Sequence, residues 1–447
     1  MFLFGGLAVS IKDLCGLWLL WLYGVLYGVL YAPDTQHRIR QCRSIVNFSF
    51  ASAEDTRNTG SSSNGLHVRL GLRAKANQQL ADALGIHNSL TTTDPKVHWA
   101  FLRQVGQRLR AMDSATQWQK LYGYSEQLLE KAVDIRNATN ATNVETHTAH
   151  SRHKLAALVR RVCLESVMYV LFQASGLDPD DVSTVCDEIN KQWVLSKAVP
   201  AAAAEGREVR EGRMEQRQDS IVQQSPQLIQ ALDRLLQDSP ERENLSPQQA
   251  LELILPSYEA LWRVVLLTYV TVCHRQPCDT IATADIADIA SVIGTGSPRE
   301  TELRKIAKEG LRLFPSSKRI YRAQSLSSTD TSMIAANVSA LHRDRDIWGP
   351  DSLEFRPSRF HDDMAAEQQH AYMPFGLPLH RCPAYDGFGE RIILLLVAVL
   401  CTRLGPDKAS IVYNDARLDG NKEAELPSGR YDMEDWVLAL RDGMTRK

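Results

Sequence analysis

One cysteine, Cys382, lies in the segment whose residue types are best suited to chemistry, MPFGLPLHRCPA at 373–384. The Gly and Pro residues of this segment predict a loop, which can present a thiolate while backbone amides stabilise its charge. The apolar stretch Ile392–Leu400 follows and predicts a buried helix whose positive end adds to that stabilisation. A single thiolate donor with open space opposite it suits the iron of a haem. Without further context, such a cysteine is more often a small buried apolar side chain.

Glu309 and Arg312 form a second candidate group, because residues three apart on a helix share a face and can form a charge-assisted ion pair. Exposed pairs of this kind contribute little to stability. The apolar neighbours Leu303, Ile306 and Phe314 predict that this helix packs closely against the rest of the protein. The sequence therefore predicts that the pair lies near the interior.

These segments resemble the cytochrome P450 family, the haem-thiolate monooxygenases. The family signature F-x-x-G-x-(R/H)-x-C-x-(G/A) is matched by Phe375, His380, Cys382 and Ala384. Pro378 replaces the glycine of that signature and would stiffen or distort the loop. The predicted helix at 306–315 resembles the E-x-x-R helix of the family, and FRPSRF at 355–360 resembles its P-x-R-F element. The resemblance runs from about Gly71 to the C-terminus and is strongest to fungal members that tailor secondary metabolites.

The resemblance implies a haem b cofactor and a set of site residues. Cys382 would be the axial ligand of the haem iron, and Phe375 would belong to the haem pocket. The residues that would meet the haem propionates are Trp99, Arg103, Arg319 and His380. Cationic partners make physical sense there, because two propionates bring two negative charges into a mostly apolar pocket. Arg359 would complete a Glu309–Arg312–Arg359 network that locks the scaffold beneath the haem and performs no chemistry.

A long apolar helix is predicted from the capping box at Ser246 and resembles the family less closely. The family pattern (A/G)-G-x-(D/E)-T-(T/S) falls on PSYEAL at 256–261, so the acid is retained as Glu259 and the threonine is replaced by Ala260. Alanine has no hydrogen-bonding group, so proton delivery would pass to water, a substrate hydroxyl or Ser257. Two interpretations of Glu259 stay open: it assists a proton relay, or it satisfies a kink at Pro256.

The elements that must position these residues are mostly helices. Helical signals dominate from about residue 67, as where Asp94 precedes Pro95, and extended candidates such as Lys318–Ala323 are few. We predict a mainly α fold with small β-sheets, by resemblance the cytochrome P450 fold, preceded by one N-terminal transmembrane helix. The predicted divisions are an N-terminal segment at 1–13, a transmembrane anchor at 14–32, a linker at 33–66 and a haem-thiolate catalytic domain at 67–447.

The anchor is predicted from Leu14–Ala32, which contains no charged residue. A helix of that length roughly spans a hydrocarbon core of ~30 Å. Arg38, Arg40 and Arg43 follow the stretch, and the positive-inside rule then places the rest of the chain in the cytosol. A cleaved signal peptide or a buried core helix are the alternatives. The prediction is a single-pass protein of the endoplasmic reticulum membrane with a cytosolic catalytic domain.

Composition excludes several classes of protein. The chain has 447 residues and a formal net charge of −2, which argues against a basic nucleic-acid-binding protein. Its 8 cysteines are too few for a disulfide scaffold and favour a reducing compartment for the main body.

The leading functional hypothesis is a membrane-anchored haem-thiolate monooxygenase that inserts one oxygen atom from O2 into an apolar small molecule, in secondary-metabolite biosynthesis. Its partners would be an NADPH-dependent cytochrome P450 reductase, the substrate and membrane lipid, with no nucleic acid. Ala260 motivates a second hypothesis, a haem-dependent isomerase or dehydratase, or a peroxide-driven enzyme, that needs no reductase. Together with Pro378 it also motivates a third, a catalytically impaired haem-binding relic.

Overall fold

The computed structural model describes residues 34–50, 62–140, 152–204, 225–240, 242–275, 286, 288–327 and 329–441. The predicted N-terminal segment at 1–13 and the predicted anchor at 14–32 lie outside the described residues. Within the described residues, one helix, Pro247–Arg275, is long and apolar enough to cross a membrane. Of its most apolar window, 78% is buried inside the protein, which is also what a core helix of a soluble protein shows.

The first described helix corrects the predicted linker. Helix α1 (Thr35–Val46) begins after Asp34, whose carboxylate accepts a hydrogen bond from the His37 backbone N–H. Its buried residues are Ile39, Cys42, Ile45 and Val46. The prediction of a linker over 33–66 is therefore wrong for α1, because these apolar residues recur at helical spacing and bury one face. Helix α2 (Ser62–Ala76) also begins inside the predicted linker.

The remaining helices account for most of the described chain. Those of the first half are α3 (Gln78–Leu84), α4 (Pro95–Arg110), α5 (Ala115–Asn140), α6 (Leu155–Phe172), α7 (Pro179–Ala204) and α8 (Pro226–Leu235). Helix α9 (Pro247–Tyr269) continues into a π-helical turn at Val270–Arg275. The last six are α10 (Ile289–Val292), α11 (Pro298–Leu313), α12 (Val338–His342), α13 (Arg345–Trp348), α14 (Ala366–Ala371) and α15 (Phe388–Leu404).

Two predicted helix starts are confirmed by their caps. Asp94 accepts a hydrogen bond from the Lys96 backbone N–H at the start of α4, and Pro95 is the first residue of that helix. Ser246 and Gln249 form a reciprocal capping box at the start of α9. Helix α9 continues through Pro256 without a break in its assigned helical residues.

Two small antiparallel sheets complete the fold. The first has the strand order β1 (Arg152–Lys154), β5 (Val437–Leu440), β4 (Ala409–Val412). The second is a hairpin of β2 (Ile320–Ala323) and β3 (Met333–Ala336), in which Ile320 is paired with Ala336. The described residues therefore confirm the predicted mainly α fold with small β-sheets.

The main hydrophobic core surrounds α9 and α15. Every residue of Ile392–Leu400 is buried, as the all-apolar sequence predicts. Helix α9 packs on α6, α11 and α15. A second cluster joins the buried face of α1 to Trp348, Met373 and Leu377. Helix α1 therefore supports the start of the loop that carries Cys382.

Candidate functional site

The loop before α15 holds Cys382 in a closed turn. The Cys382 backbone N–H donates a hydrogen bond to the Phe375 carbonyl, with an N–O distance of 2.9 Å. Gly376 has a φ of +72° and Leu379 a φ of +77°. The left-handed backbone is free for glycine, but at Leu379 it costs on the order of 1 kcal/mol. The strained residue directly follows Pro378, which replaces the signature glycine.

The loop is fixed to α15 by close packing. The ring of Phe375 lies so near Gly389 that a Cβ built on this glycine would be 2.5 Å from the ring. Two ion pairs join α11 to the first turn of α15, Arg304–Glu390 at 2.6 Å and Arg391–Glu300 at 2.5 Å. These contacts fix the position of the cysteine relative to both helices.

The Cys382 thiol lies in a recess. Its residue is exposed to solvent, yet surrounding protein atoms raise the pKa of the thiol by desolvation. A hydrogen bond from the Ala384 backbone N–H, and then the charge of Arg73, oppose that increase by stabilising the thiolate. Cys382 is thus accessible from one side and has two groups that favour its ionised form.

Four basic side chains meet beside this recess: Arg73 from α2, His98 from α4, Arg322 from β2 and His380 from the loop. Arg73 Nη1 lies 3.4 Å from His380 Nδ1, and the rings of His98 and His380 are 5.5 Å apart between centroids. Phe48, which follows α1, contacts the His380 ring at 4.9 Å and lies under the Arg322 guanidinium at 4.4 Å. We call these four side chains the basic cluster.

The pKa values of the basic cluster are lowered. Desolvation, followed by the charge of Arg73, lowers the pKa of His98 to about 4 and that of Arg322 to about 9. The same two causes come first for His380, whose pKa is lowered to about 3. Desolvation lowers the pKa of Arg73 to about 10, and only Cys382 opposes it. Near pH 7 the two histidines are therefore neutral, and Arg73 and Arg322 carry the positive charge of the cluster.

The basic cluster fits the two carboxylates of a haem. Three of its buried nitrogen atoms have no hydrogen-bond partner: Nε2 of His98, Nε2 of His380 and Nε of Arg322. Among the described residues, no carboxylate contributes to the pKa shifts of its four members. Buried nitrogens without acceptors are costly, so an anionic ligand is the natural complement. A thiol beside an uncompensated basic cluster is the donor set that a thiolate-ligated haem with two propionates requires.

The other residues predicted to meet propionates lie on the surface. Trp99 is 47% exposed, and its ring contacts the ring of His98 at 5.0 Å. Arg103 and Arg319 are exposed, and neither is among the groups that influence the pKa of Cys382 or His380. The structure brings His380 and Cys382 together but does not bring these two arginines to them.

Sequence reasoning missed three members of the basic cluster. His98 directly precedes Trp99 and is fully buried. The signal available in the sequence was a histidine next to the W-x-x-x-R spacing. Arg322 is buried in β2, three residues after Arg319, which precedes the strand and is exposed, so the choice between them depended on burial that the sequence does not show. Arg73 carries no local signal, because its partners are 16 and 307 residues away in sequence.

One face of α9 is accessible, although the rest of the helix is buried. After the first turn its accessible residues are Glu252, Pro256, Ser257, Ala260 and Arg263. Ala260 is the exposed one, so its methyl group faces open space. The Ser257 hydroxyl donates to the Leu253 carbonyl at 3.2 Å and is engaged by its own helix.

Glu259 lies on the buried side of α9 and is ion-paired. Both carboxylate oxygens accept hydrogen bonds from Arg430, one of them at 3.0 Å from Nη1. The same Nη1 donates to Asn190 Oδ1 at 2.9 Å, and the guanidinium lies 5.1 Å from the Trp193 ring centroid. Neither predicted role of Glu259 included this partner, which is 171 residues away in sequence. The carboxylate therefore joins α9 to the loop before β5.

The structure brings the three predicted network residues together. Arg312 donates from Nε and Nη2 to the two oxygens of Glu309, at 2.7 and 2.8 Å. Arg359 Nε lies 3.4 Å from Glu309 Oε1, and the Arg356 backbone N–H donates to the same oxygen at 2.9 Å. The Arg312 Nη1 also donates to the carbonyls of His342 and Ser352, each at 2.7 Å. One buried carboxylate and one buried guanidinium thus fix four segments of chain.

Comparison with known proteins shows that part of the chain is similar to haem-thiolate proteins. The sequence model of the family described as Cytochrome P450 matches residues 303–386. "Cytochrome P450 714B3" from Zea mays is 29% identical over 139 residues, which are 30% of this chain and 23% of that protein. "Bifunctional cytochrome P450/NADPH--P450 reductase 1" from Bacillus subtilis is 38% identical over 91 residues, which are 18% of this chain and 8% of that protein.

Among solved structures, "Structure of cytochrome P450 OleT, ligand-free" aligns over 84% of both chains with a TM-score of 0.48 and 13% identity. The matched stretches span a quarter or less of the two curated relatives named above. Residues 303–386 of this chain are therefore similar to the cytochrome P450 family. The cofactor of that family is haem b.

Proposed function

We propose that this chain is a monooxygenase that inserts one oxygen atom from O2 into an apolar small molecule. The observation that carries the proposal is the accessible thiol of Cys382 beside four basic side chains without a carboxylate partner. The match of residues 303–386 to the cytochrome P450 family model supports the reaction class. When haem is bound, thiolate donation to its iron favours cleavage of the O–O bond.

Cys382 would hold the iron as a thiolate, with the Ala384 N–H and the positive charge nearby lowering the free energy of the ionised form. His98, Arg322 and His380 would bind the propionates, since each has a buried nitrogen without a partner. Arg73, now beside the thiol, would supply further positive charge. The predicted propionate contacts of Trp99, Arg103 and Arg319 stay predictions. Phe375 would seat the ligand loop against α15.

Proton delivery is the least conventional part of the site. Ala260 faces open space and has no hydroxyl, while the Ser257 hydroxyl is engaged by Leu253. Glu259 can relay a proton only when Arg430 releases its carboxylate. We therefore infer that water or a substrate hydroxyl moves the proton, and that Glu259 holds the loop carrying Arg430 in place.

The setting of the enzyme is also part of the proposal. Residues 14–32 would anchor the chain in the endoplasmic reticulum membrane with the catalytic domain in the cytosol. An NADPH-dependent cytochrome P450 reductase would supply electrons. It would dock near Arg381, which is next to the axial ligand Cys382 in the sequence. One similar protein carries a P450 and a reductase in a single chain, according to its name. The resemblance of its motifs to those of fungal members predicts a substrate from secondary metabolism.

A spectrum of the reduced, carbon-monoxide-treated full chain tests the haem site. We expect the red-shifted Soret band of a thiolate ligand in the wild type and in Cys186→Ala, a control at a buried free cysteine. Cys382→Ser should bind haem without that band. A folded wild-type protein that lacks the band would contradict the proposal.

Turnover then separates the reaction types. Product formation with NADPH and reductase supports the monooxygenase. Product formation with peroxide alone, and none with reductase, would replace it with a peroxide-driven reaction. Conversion of an oxygenated substrate without either co-reactant would replace it with an isomerase or dehydratase.

A further inference from the structure

A second polar cleft lies outside the basic cluster and the Cys382 loop. It has a volume of about 270 Å³ and lies between the π-helical turn after α9, the loop after β4 and the residue that follows β5. Its charged lining residues are Arg275, Lys422, Arg441 and Asp419. None of them takes part in the interactions described for the haem site. Three positive side chains and one negative side chain give this cleft a formal charge of +2 with His274 neutral.

Arg275 is the buried member of the three positive side chains that line this cleft. The residue is only 5% exposed, although its side chain carries a permanent positive charge. Its Nη2 donates to the Asn421 carbonyl at 2.7 Å and to the Ala424 carbonyl, and its Nε donates to the Lys422 carbonyl at 3.2 Å. Its Nη1 is buried and donates to no backbone carbonyl, and Tyr413 is the side chain that hydrogen-bonds to the guanidinium. No carboxylate of the described residues forms an ion pair with Arg275.

The pKa of His274 is influenced by the other two positive side chains of the cleft, Lys422 and Arg441. Burial is the main cause that lowers its pKa to about 4, and the charges of Lys422 and Arg441 lower it further. Because both charges influence a side chain that lines the cleft, they act in the same space as Arg275. A buried guanidinium without a carboxylate partner and two more cations around one cleft form an arrangement with excess positive charge.

We propose that this cleft binds a phosphate-type dianion, either the free ion or a phosphate monoester. Phosphate matches a site with several positive side chains, since each contributes a charge-assisted hydrogen bond. The volume is slightly below the ~300 Å³ at which pockets for drug-sized molecules begin, so a small ligand suits it. Nη1 of Arg275 supplies the buried donor, and Lys422 and Arg441 supply exposed donors. The proposal does not depend on haem binding.

Calorimetric titration of the full chain with inorganic phosphate and with glycerol 3-phosphate, at constant ionic strength set with chloride, tests the site. We expect saturable binding of phosphate with one site per chain. Lys422→Ala and Arg441→Ala, which change exposed residues, should each weaken binding about tenfold or more, because each removes a charge-assisted hydrogen bond to the anion. Arg275→Gln should abolish binding. Arg417→Ala is the matched control, since Arg417 lies on the same loop but outside the cleft lining, and it should leave binding unchanged.

The result also has to exclude the basic cluster of the haem site. Binding that survives Arg73→Gln supports the cleft, whereas binding that Arg73→Gln removes would assign the phosphate to the haem site and overturn the proposal. A response that chloride reproduces at equal ionic strength, or one that Lys422→Ala and Arg441→Ala both leave unchanged, would overturn it too. Tighter binding of glycerol 3-phosphate than of phosphate supports a monoester ligand, and the reverse supports the free ion.

Discussion

Replacing Glu309 with glutamine tests the idea that a buried ion pair holds the scaffold beneath the ligand loop. Both Glu309 and Arg312 have side chains with 0% exposure. In Glu309→Gln the amide oxygen keeps one of the two hydrogen bonds from Arg312. The amide NH2 group cannot accept the other, because it is itself a donor and faces an N–H group of Arg312. The charge of Arg312 is then left buried without a counter-charge, although its bonds to the His342 and Ser352 carbonyls persist.

The expected loss of stability is about 3–5 kcal/mol, which is the usual consequence of removing one partner of a buried pair. That is a large part of the roughly 5–15 kcal/mol by which native proteins are stable. Denaturation by guanidinium, followed by both circular dichroism and tryptophan fluorescence, measures the change. The haem content of the purified variant should fall as well, because Arg312 joins α11 to the segments that precede the ligand loop.

Glu130→Gln is the matched control, because it makes the same chemical change in an exposed pair. Glu130 is 48% exposed and lies 2.8 Å from Arg403. An exposed pair contributes about 1 kcal/mol or less. If Glu309→Gln is no more destabilising than Glu130→Gln, the buried network does not stabilise the scaffold and the reasoning is refuted.

Three further changes test other parts of the structure. Burial, and next the charge of Arg312, lower the pKa of His342 to about 3. Between about pH 3 and 6.5 the unfolded chain therefore binds more protons than the folded chain. The free energy of unfolding accordingly rises with pH in this range. His342→Gln keeps an acceptor for the Met373 N–H. Denaturation curves over this pH range should show that the rise of the unfolding free energy with pH is smaller by about 1.4 kcal/mol per pH unit in the variant. An unchanged pH dependence would contradict the lowered pKa. Gly389→Ala should destabilise the protein by about 1–3 kcal/mol and reduce its haem content, because the new Cβ would meet the Phe375 ring. Gly123→Ala is the control: its Cβ has open space around it and should stabilise its helix slightly. Equal effects of the two substitutions would be evidence against close packing of Phe375 on Gly389. Ala260→Thr, which rests on the proposed function, should change stability by less than about 1 kcal/mol at this exposed position, and should lower peroxide release and raise product per NADPH. Unchanged coupling would show that proton delivery does not pass through residue 260.

The sequence by itself determined the features that depend on short-range patterns. The capping groups Asp94 and Ser246 set the starts of two helices, because a cap acts on backbone N–H groups two or three residues away. The all-apolar stretch in α15 specified a helix buried on every side. The spacing of Glu309 and Arg312 specified an ion pair, because a helix turn brings such residues onto one face.

Only the tertiary structure decided which charged groups meet. The basic cluster draws on α2, α4, β2 and the ligand loop, and no local period relates these segments. Arg322, which is buried in β2, reaches it, whereas Arg319, which precedes β2, is exposed. Glu259 is engaged by Arg430, which is 171 residues away in sequence. The position of Cys382 was readable from its own segment, but the groups that complement its ligand were not, because burial and charge compensation depend on the packing of the whole chain.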